Sequence, residues 1–169
     1  MNLLNYILIA IIVYIVYKTI HDNMPSQKIS KLESKAYEYF TEIFEDSKKT
    51  IKDYEEKLEK GEKSILGEGH NERIIKNTKE YLDKLSKSEE MFLRLKEKYK
   101  HKNAKDRVSI YEDWFDYCMA LKNVKFAGKM LDYDFEENSG DRYDDSVKEP
   151  FIMMEEIEKR FKKLLEIKD

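Results

Sequence analysis

The sequence predicts an all-α protein: a single N-terminal transmembrane helix followed by an antiparallel three- to four-helix bundle with a coiled-coil-like hairpin. Three observations predict it. Residues 1–17 carry no charged side chain, although 40% of the chain is charged. Beyond them, apolar residues recur in steps of three and four, the spacing of one helical face. Only two Pro and five Gly punctuate 169 residues, too few for a loop-rich β-sandwich or a disordered linker protein. The expected domains are an anchor at 1–22, a juxtamembrane linker at 23–28 and a helical bundle at 29–169.

The anchor runs from Leu3 to Ile20, interrupted only by Asn5, Thr19, Lys18 near its end and three Tyr. Eighteen helical residues reach about 27 Å, close to the hydrocarbon thickness of a bilayer. Lys18 can snorkel to the headgroups, and Tyr14 and Tyr17 lie where an interfacial aromatic belt is expected. A cleaved signal peptide needs a basic start and a small-x-small cleavage site. The chain opens Met-Asn-Leu-Leu, and Lys18–Met24 offers no such site. A buried core helix fits poorly, because the apolarity runs around every face. Lys18, Lys28, Lys31 and Lys35 follow the segment and no Lys or Arg precedes it. The positive-inside rule then places the N-terminus outside and the bundle in the cytoplasm, at the cell membrane in single-pass form. One Cys fits a reducing compartment and excludes an internal disulfide.

Four bundle helices are expected, at about 26–60, 72–101, 105–132 and 148–167. The first carries Ile29, Leu32, Ala36, Phe40, Ile43, Ser47, Ile51, Tyr54 and Leu58 on one face. Pro25 and the pattern Ser30-Lys31-Leu32-Glu33 are start signals. Gly61, Gly67 and Gly69 mark a turn. The second helix shows a heptad seam, Thr78, Tyr81, Leu85, Ser88, Phe92, Leu95 and Tyr99. A short connection makes these two helices antiparallel neighbours. At about 45 to 50 Å they outreach the last helix, so their tip is a candidate contact surface. The third helix has a wide apolar face at Val108, Tyr111, Trp114, Phe115, Cys118, Leu121, Val124 and Met130. In the fourth, Phe151, Met154, Ile157, Phe161 and Leu164 step by three and four, and Pro150 suits its first turn.

Catalytic and cofactor signatures are sparse. None of the three His stands three residues after a Glu, which argues against a di-iron carboxylate bundle. His70-Asn71-Glu72 has the His-x-Glu spacing of zinc deaminases without the Pro-Cys-x-x-Cys partner, so His70 reads as a surface histidine. No phosphate-binding Gly loop is present. Cys118 lies on an apolar face, the setting of a structural thiol. The stretch 132–149 holds eight carboxylates. Read as a calcium loop from Asp134, it puts Glu136, Asn138 and Asp145 at ligand positions 3, 5 and 12. Ser139 stands where Gly is needed and the bidentate Glu is missing. These four are weak metal candidates; a solvated acidic loop is the simpler reading. No cofactor is expected.

The basic counterpart is Arg94, Lys96, Lys98, Lys100, Lys102, Lys105 and Arg107, with only Glu97 and Asp106 among them. If the first bundle helix rises from the membrane, the second returns to it, and this basic turn lies beside an anionic leaflet. Each Lys or Arg near such a surface gains about 1 kcal/mol. A net charge of −3 and the lack of an aromatic platform argue against nucleic acid. The expectation is a non-catalytic, membrane-anchored protein whose cytoplasmic bundle binds a protein partner or scaffolds. Partners are then the lipid bilayer and a protein, or a second copy, meeting the first two bundle helices. The alternatives are an enzyme or small-ligand sensor with a site between helices, and an ion-responsive or electrostatic membrane switch.

Overall fold

The computed structural model describes residues 3–22, 24–64, 67–124 and 145–166. All regular structure among them is α-helical, in five helices and without strands. The first, α1, is Leu3–Asp22. It ends at a break where the Met24 amide donates to the His21 carbonyl at 3.1 Å. Met24 is extended (φ −61°, ψ 134°), as the residue before a proline prefers. Every residue from Asn5 to Ile20 is exposed.

The second helix, α2, is Pro25–Glu59 and carries its proline in the first turn. There the missing N–H has no intrahelical partner to lose. The helix therefore includes residues 25–28, which the sequence suggested as linker, and Ser30 is interior rather than a cap. The helix closes with a Schellman motif: the Gly61 amide donates to the Leu58 carbonyl at 3.0 Å and the Glu62 amide to Lys57 at 2.9 Å. Gly61 takes the left-handed conformation this requires, φ +67°. The axes of the stretch Asn5–His21 and of α2 meet at 69°. Among the described residues no single helix is long and apolar enough to cross a membrane; that stretch and α2 meet the requirement only as a bent pair.

The third helix, α3, is His70–Lys98, a little shorter at its C-terminus than its apolar seam implied. The fourth, α4, is Ala104–Asn123. Asn103 Oδ1 accepts from the Asp106 amide at 3.0 Å while its Nδ2 donates to the Asp106 carboxylate at 2.6 Å. That reciprocal cap fixes where α4 begins. It ends at Asn123, capped at Val124; the expected continuation through 132 lies outside the described residues. The fifth, α5, is Asp145–Glu166, and Pro150 sits inside it rather than at its start. A proline this near the N-terminus removes only one early backbone bond, so the helix tolerates it.

Cross-helix pairs define the bundle. Glu33 pairs with Lys96 and Glu55 with Lys79, so α2 and α3 run antiparallel. Lys28 pairs with Glu112 and Glu42 with Lys122, so α2 and α4 run parallel. Asp113 holds Arg160 at 2.8 Å and Tyr117 meets Glu158 at 3.1 Å, so α4 and α5 are antiparallel. The helices alternate in direction, but α2 packs chiefly on α4 and α3, while α5 packs on α4 and α3. The consecutive helices α3 and α4 are thus diagonal.

The core forms around Trp114, which is fully buried. Phe92 stacks on it at 4.7 Å between centroids, Tyr117 at 5.5 Å, and Phe40 tilts against it at 5.5 Å. Burying such rings contributes about 1.5–3 kcal/mol each. Ser47 and Thr78, polar members of the α2 and α3 seams, satisfy their hydroxyls on the Ile43 and Ile74 carbonyls of their own helices.

Candidate membrane-facing end of the bundle

One end of the bundle gathers the start of α2, the end of α3, the start of α4 and the end of α5. Three contacts establish this. Glu33 near the start of α2 meets Lys96 near the end of α3. Lys28 at the start of α2 meets Glu112, eight residues into α4, so the first turns of α4 extend past Pro25. The Lys98 ammonium donates to the Leu164 carbonyl at 3.1 Å, covering an orphan acceptor at the end of α5. The α1 helix joins α2 at this same end.

The seven predicted basic residues come together here but do different things. Lys96 is bound to Glu33, and that hydrogen bond holds its pKa above the usual lysine value against the opposing effect of burial. Lys98 is committed to the Leu164 carbonyl and lies 5.9 Å from the Tyr99 ring centre. Lys100 pairs with Glu97. Arg107 is partly buried and its Nε has no hydrogen-bond partner among the described residues. Arg94, Lys102 and Lys105 are exposed. The charge available to an outside partner thus rests on Arg94, Lys102, Lys105 and part of Arg107.

A second group, which the sequence reading missed, lies between α3, α4 and α5. The Tyr117 hydroxyl donates to Ser88 Oγ at 2.9 Å and lies 3.1 Å from Glu158 Oε1. Ser88 Oγ reaches the same Glu158 oxygen at 2.7 Å. Burial pushes the Tyr117 phenol well above its usual pKa, and the nearby Glu158 charge adds to this. Ser88 had been legible only as a seam position. Tyr117 and Glu158 each follow or precede by one residue an apolar-face position, Cys118 and Ile157, so periodicity alone did not bring them forward. Nearby, burial also raises the Glu89 and Asp116 carboxyls, the latter helped by Asp113 and Glu112.

Other candidates resolve plainly. Cys118 is buried and its thiol is pushed far up by burial, then by Glu89. A thiol kept protonated is a poor nucleophile. His70 is buried, not on the surface as the sequence suggested. It opens α3 after Gly69 (φ +77°), faces the Tyr54 ring edge at 6.4 Å and holds Arg73 at 3.2 Å. Asn71 beside it donates to the Glu62 carbonyl at 3.1 Å, tying down the hairpin tip. Asp134, Glu136 and Asn138 lie outside the described residues, and Asp145 opens α5. Among the described residues no three His, Cys, Asp or Glu side chains form a metal-holding group. A groove of about 860 Å³ separates α2 from the end of α4, lined by Tyr39, Glu42, Asp46, Lys49, Met119 and Lys122.

Against known proteins the chain stands apart: no family model, no curated protein and no solved structure matches it.

Proposed function

We propose that this chain is a single-pass membrane protein whose cytoplasmic four-helix bundle is a non-catalytic binding or scaffolding module. The observation that carries the reading is the placement of α1. Its residues Asn5 to Ile20 are exposed, apolar almost throughout, and leave the bundle at the end that holds the basic turn. So much continuous apolar surface exceeds what a soluble monomer leaves in water. The stretch Asn5–His21 is about 25 Å long. With Leu3, Leu4 and Asp22 the helix reaches 20 residues and about 30 Å, the thickness of a bilayer core. Arg94, Lys102 and Lys105 then face anionic headgroups, and the α2–α3 hairpin, inclined 69° to α1, carries its tip away from the membrane at a shallow angle.

The binding-module reading draws on the closed aromatic core around Trp114 and on the length of α2. Crosslinking the full-length chain in its native membrane, followed by mass spectrometry, tests it. A reproducible protein partner joined through residues 40–95 is expected. Recovery of neither a partner nor a second copy counts against it.

One observation favours the alternative of a ligand sensor or enzyme with a site between helices: Glu158 converges with Ser88 and Tyr117 where α3, α4 and α5 meet. Metabolite screening by thermal shift on the same chain separates the two. A ligand whose stabilisation disappears in Glu158→Gln supports the sensor.

A further inference from the structure

Although α1 is apolar, its aromatic residues and its one Ala are not scattered. At about 100° per residue, Tyr6, Ala10, Tyr14, Tyr17 and His21 fall within an arc of about 80°. Every other residue from Ile7 to Val16 is Leu, Ile or Val. One face therefore carries every phenol and the one Ala of α1; between Ile7 and Val16 the remaining circumference is aliphatic, and Asn5, Lys18 and Thr19 lie off the stripe toward the two ends. Tyr17 and His21 stack along this face at 5.9 Å.

The aromatic belt that the sequence suggested for Tyr14 and Tyr17 does not account for the stripe. Belts sit at the two membrane interfaces and select depth, not one helical face. Tyr14 lies only about 2 Å from the midpoint of α1, far from either interface. A hydroxyl left unpaired in hydrocarbon costs several kcal/mol. The bundle does not cover it: Tyr14 is 62% and Tyr17 63% exposed.

We infer that this stripe is a helix–helix interface within the bilayer and that its occupant is α1 of a second copy of the chain. The inference rests on the membrane-anchor reading. A phenol both donates and accepts, so two identical stripes satisfy each other; a stripe of donors alone could not. Copies inserted by the same positive-inside rule lie parallel, which sets Tyr14 against Tyr14 and brings each Tyr17 level with its counterpart. Ala10, between Tyr6 and Tyr14, lets the backbones approach. The aliphatic remainder faces lipid.

Oxidative crosslinking of the full-length chain in membranes tests this, comparing Ala10→Cys with Ile12→Cys. The two positions differ in depth by about 3 Å and lie on opposite faces. Cys118 is buried with a protonated thiol, so the unaltered chain gives the background. A covalent dimer is expected from Ala10→Cys and none above background from Ile12→Cys. Adding Tyr14→Leu to Ala10→Cys should lower the dimer yield about threefold, the scale of one interhelical hydrogen bond. Equal dimer from both faces, no dimer, or an adduct with a different protein overturns self-association while the chain stays in the membrane pellet at alkaline pH. Release of the chain into the supernatant overturns the anchor reading, and this inference with it.

Discussion

The indole of Trp114 lies flat on the Phe92 ring, centroids 4.7 Å apart and planes 6° from parallel, joining the diagonal helices α3 and α4 through the centre of the bundle. The stack is worth about 0.5–1.5 kcal/mol beyond the area it buries. Phe92 also meets Tyr111 edge-on at 5.5 Å, and Phe161 at 6.5 Å. Truncating either partner should therefore cost heavily. Trp114→Ala and Phe92→Ala are each expected to lose about 3–5 kcal/mol in denaturant unfolding. Trp114→Phe should cost clearly less, because it keeps a ring and removes a buried indole N–H that has no hydrogen-bond partner among the described residues. A loss below about 1 kcal/mol for Trp114→Ala would show that the centre is not packed this way.

Tyr117 and Glu158 give a second prediction. Tyr117→Phe leaves the Ser88–Glu158 bond in place and removes the hydrogen bond to Ser88 Oγ together with the 3.1 Å contact to Glu158, so about 1 kcal/mol is expected. Glu158→Gln should cost less in the Tyr117→Phe background than alone, and a double-mutant cycle reads this coupling. Strict additivity would mean the two side chains act independently.

Alkaline pH should unfold the bundle. Burial pushes Tyr37 up to about 12 and raises Tyr81 and Tyr117 well above their usual value. Tyr111 and Cys118 move the same way. A raised value means that the folded state holds its proton more tightly than the unfolded chain. The stability these groups contribute is complete below the unfolded phenol value near 10 and is lost as pH rises through the folded values. Lys96, raised by Glu33, has the same sign. The melting temperature should hold to about pH 9 and fall steadily above about pH 10. Tyr37→Phe should soften the fall. A melting temperature unchanged to about pH 12 would contradict this assignment of buried phenols.

The basic end separates two kinds of lysine. Arg94→Glu, Lys102→Glu and Lys105→Glu together should weaken binding to anionic vesicles by at least about 1 kcal/mol per residue and leave the melting temperature nearly unchanged. Lys96→Glu should instead lower the melting temperature, because it places a carboxylate against Glu33. Flotation at low and high salt, beside thermal melts, distinguishes them.

Much of the fold is legible in the sequence because burial follows helical spacing. The α3 seam from Thr78 to Leu95 is buried at every predicted position, as are Phe151, Met154, Ile157 and Phe161 on α5. Which helices are neighbours is not legible. Periodicity names the buried face but not its partner, so the parallel contact of α2 with α4 emerges only from pairs such as Glu42–Lys122. The α5 boundary was obscured for a related reason: Pro150 signals a helix start, yet packing of Phe151 and Met154 sustains a helix that begins before it. The basic turn was visible as composition. Its division into committed and available charges depends on Glu97, which is local, but also on Glu33 and the Leu164 carbonyl, which are distant in sequence or silent in it.

The central claim is that the basic end of the bundle faces the bilayer and the hairpin tip points away. Fluorescent labels at Lys102→Cys and Lys63→Cys, one at each end of α2–α3, test it in the full-length chain reconstituted into vesicles carrying lipid nitroxides. The two ends stand about 50 Å apart along α2; with α2 inclined 69° to α1, the tip lies about 18 Å farther from the bilayer than the basic end. Clearly stronger quenching at residue 102 than at residue 63 is expected. Quenching at residue 63 equal to or above that at residue 102, or a chain that never enters the vesicles, would contradict the account.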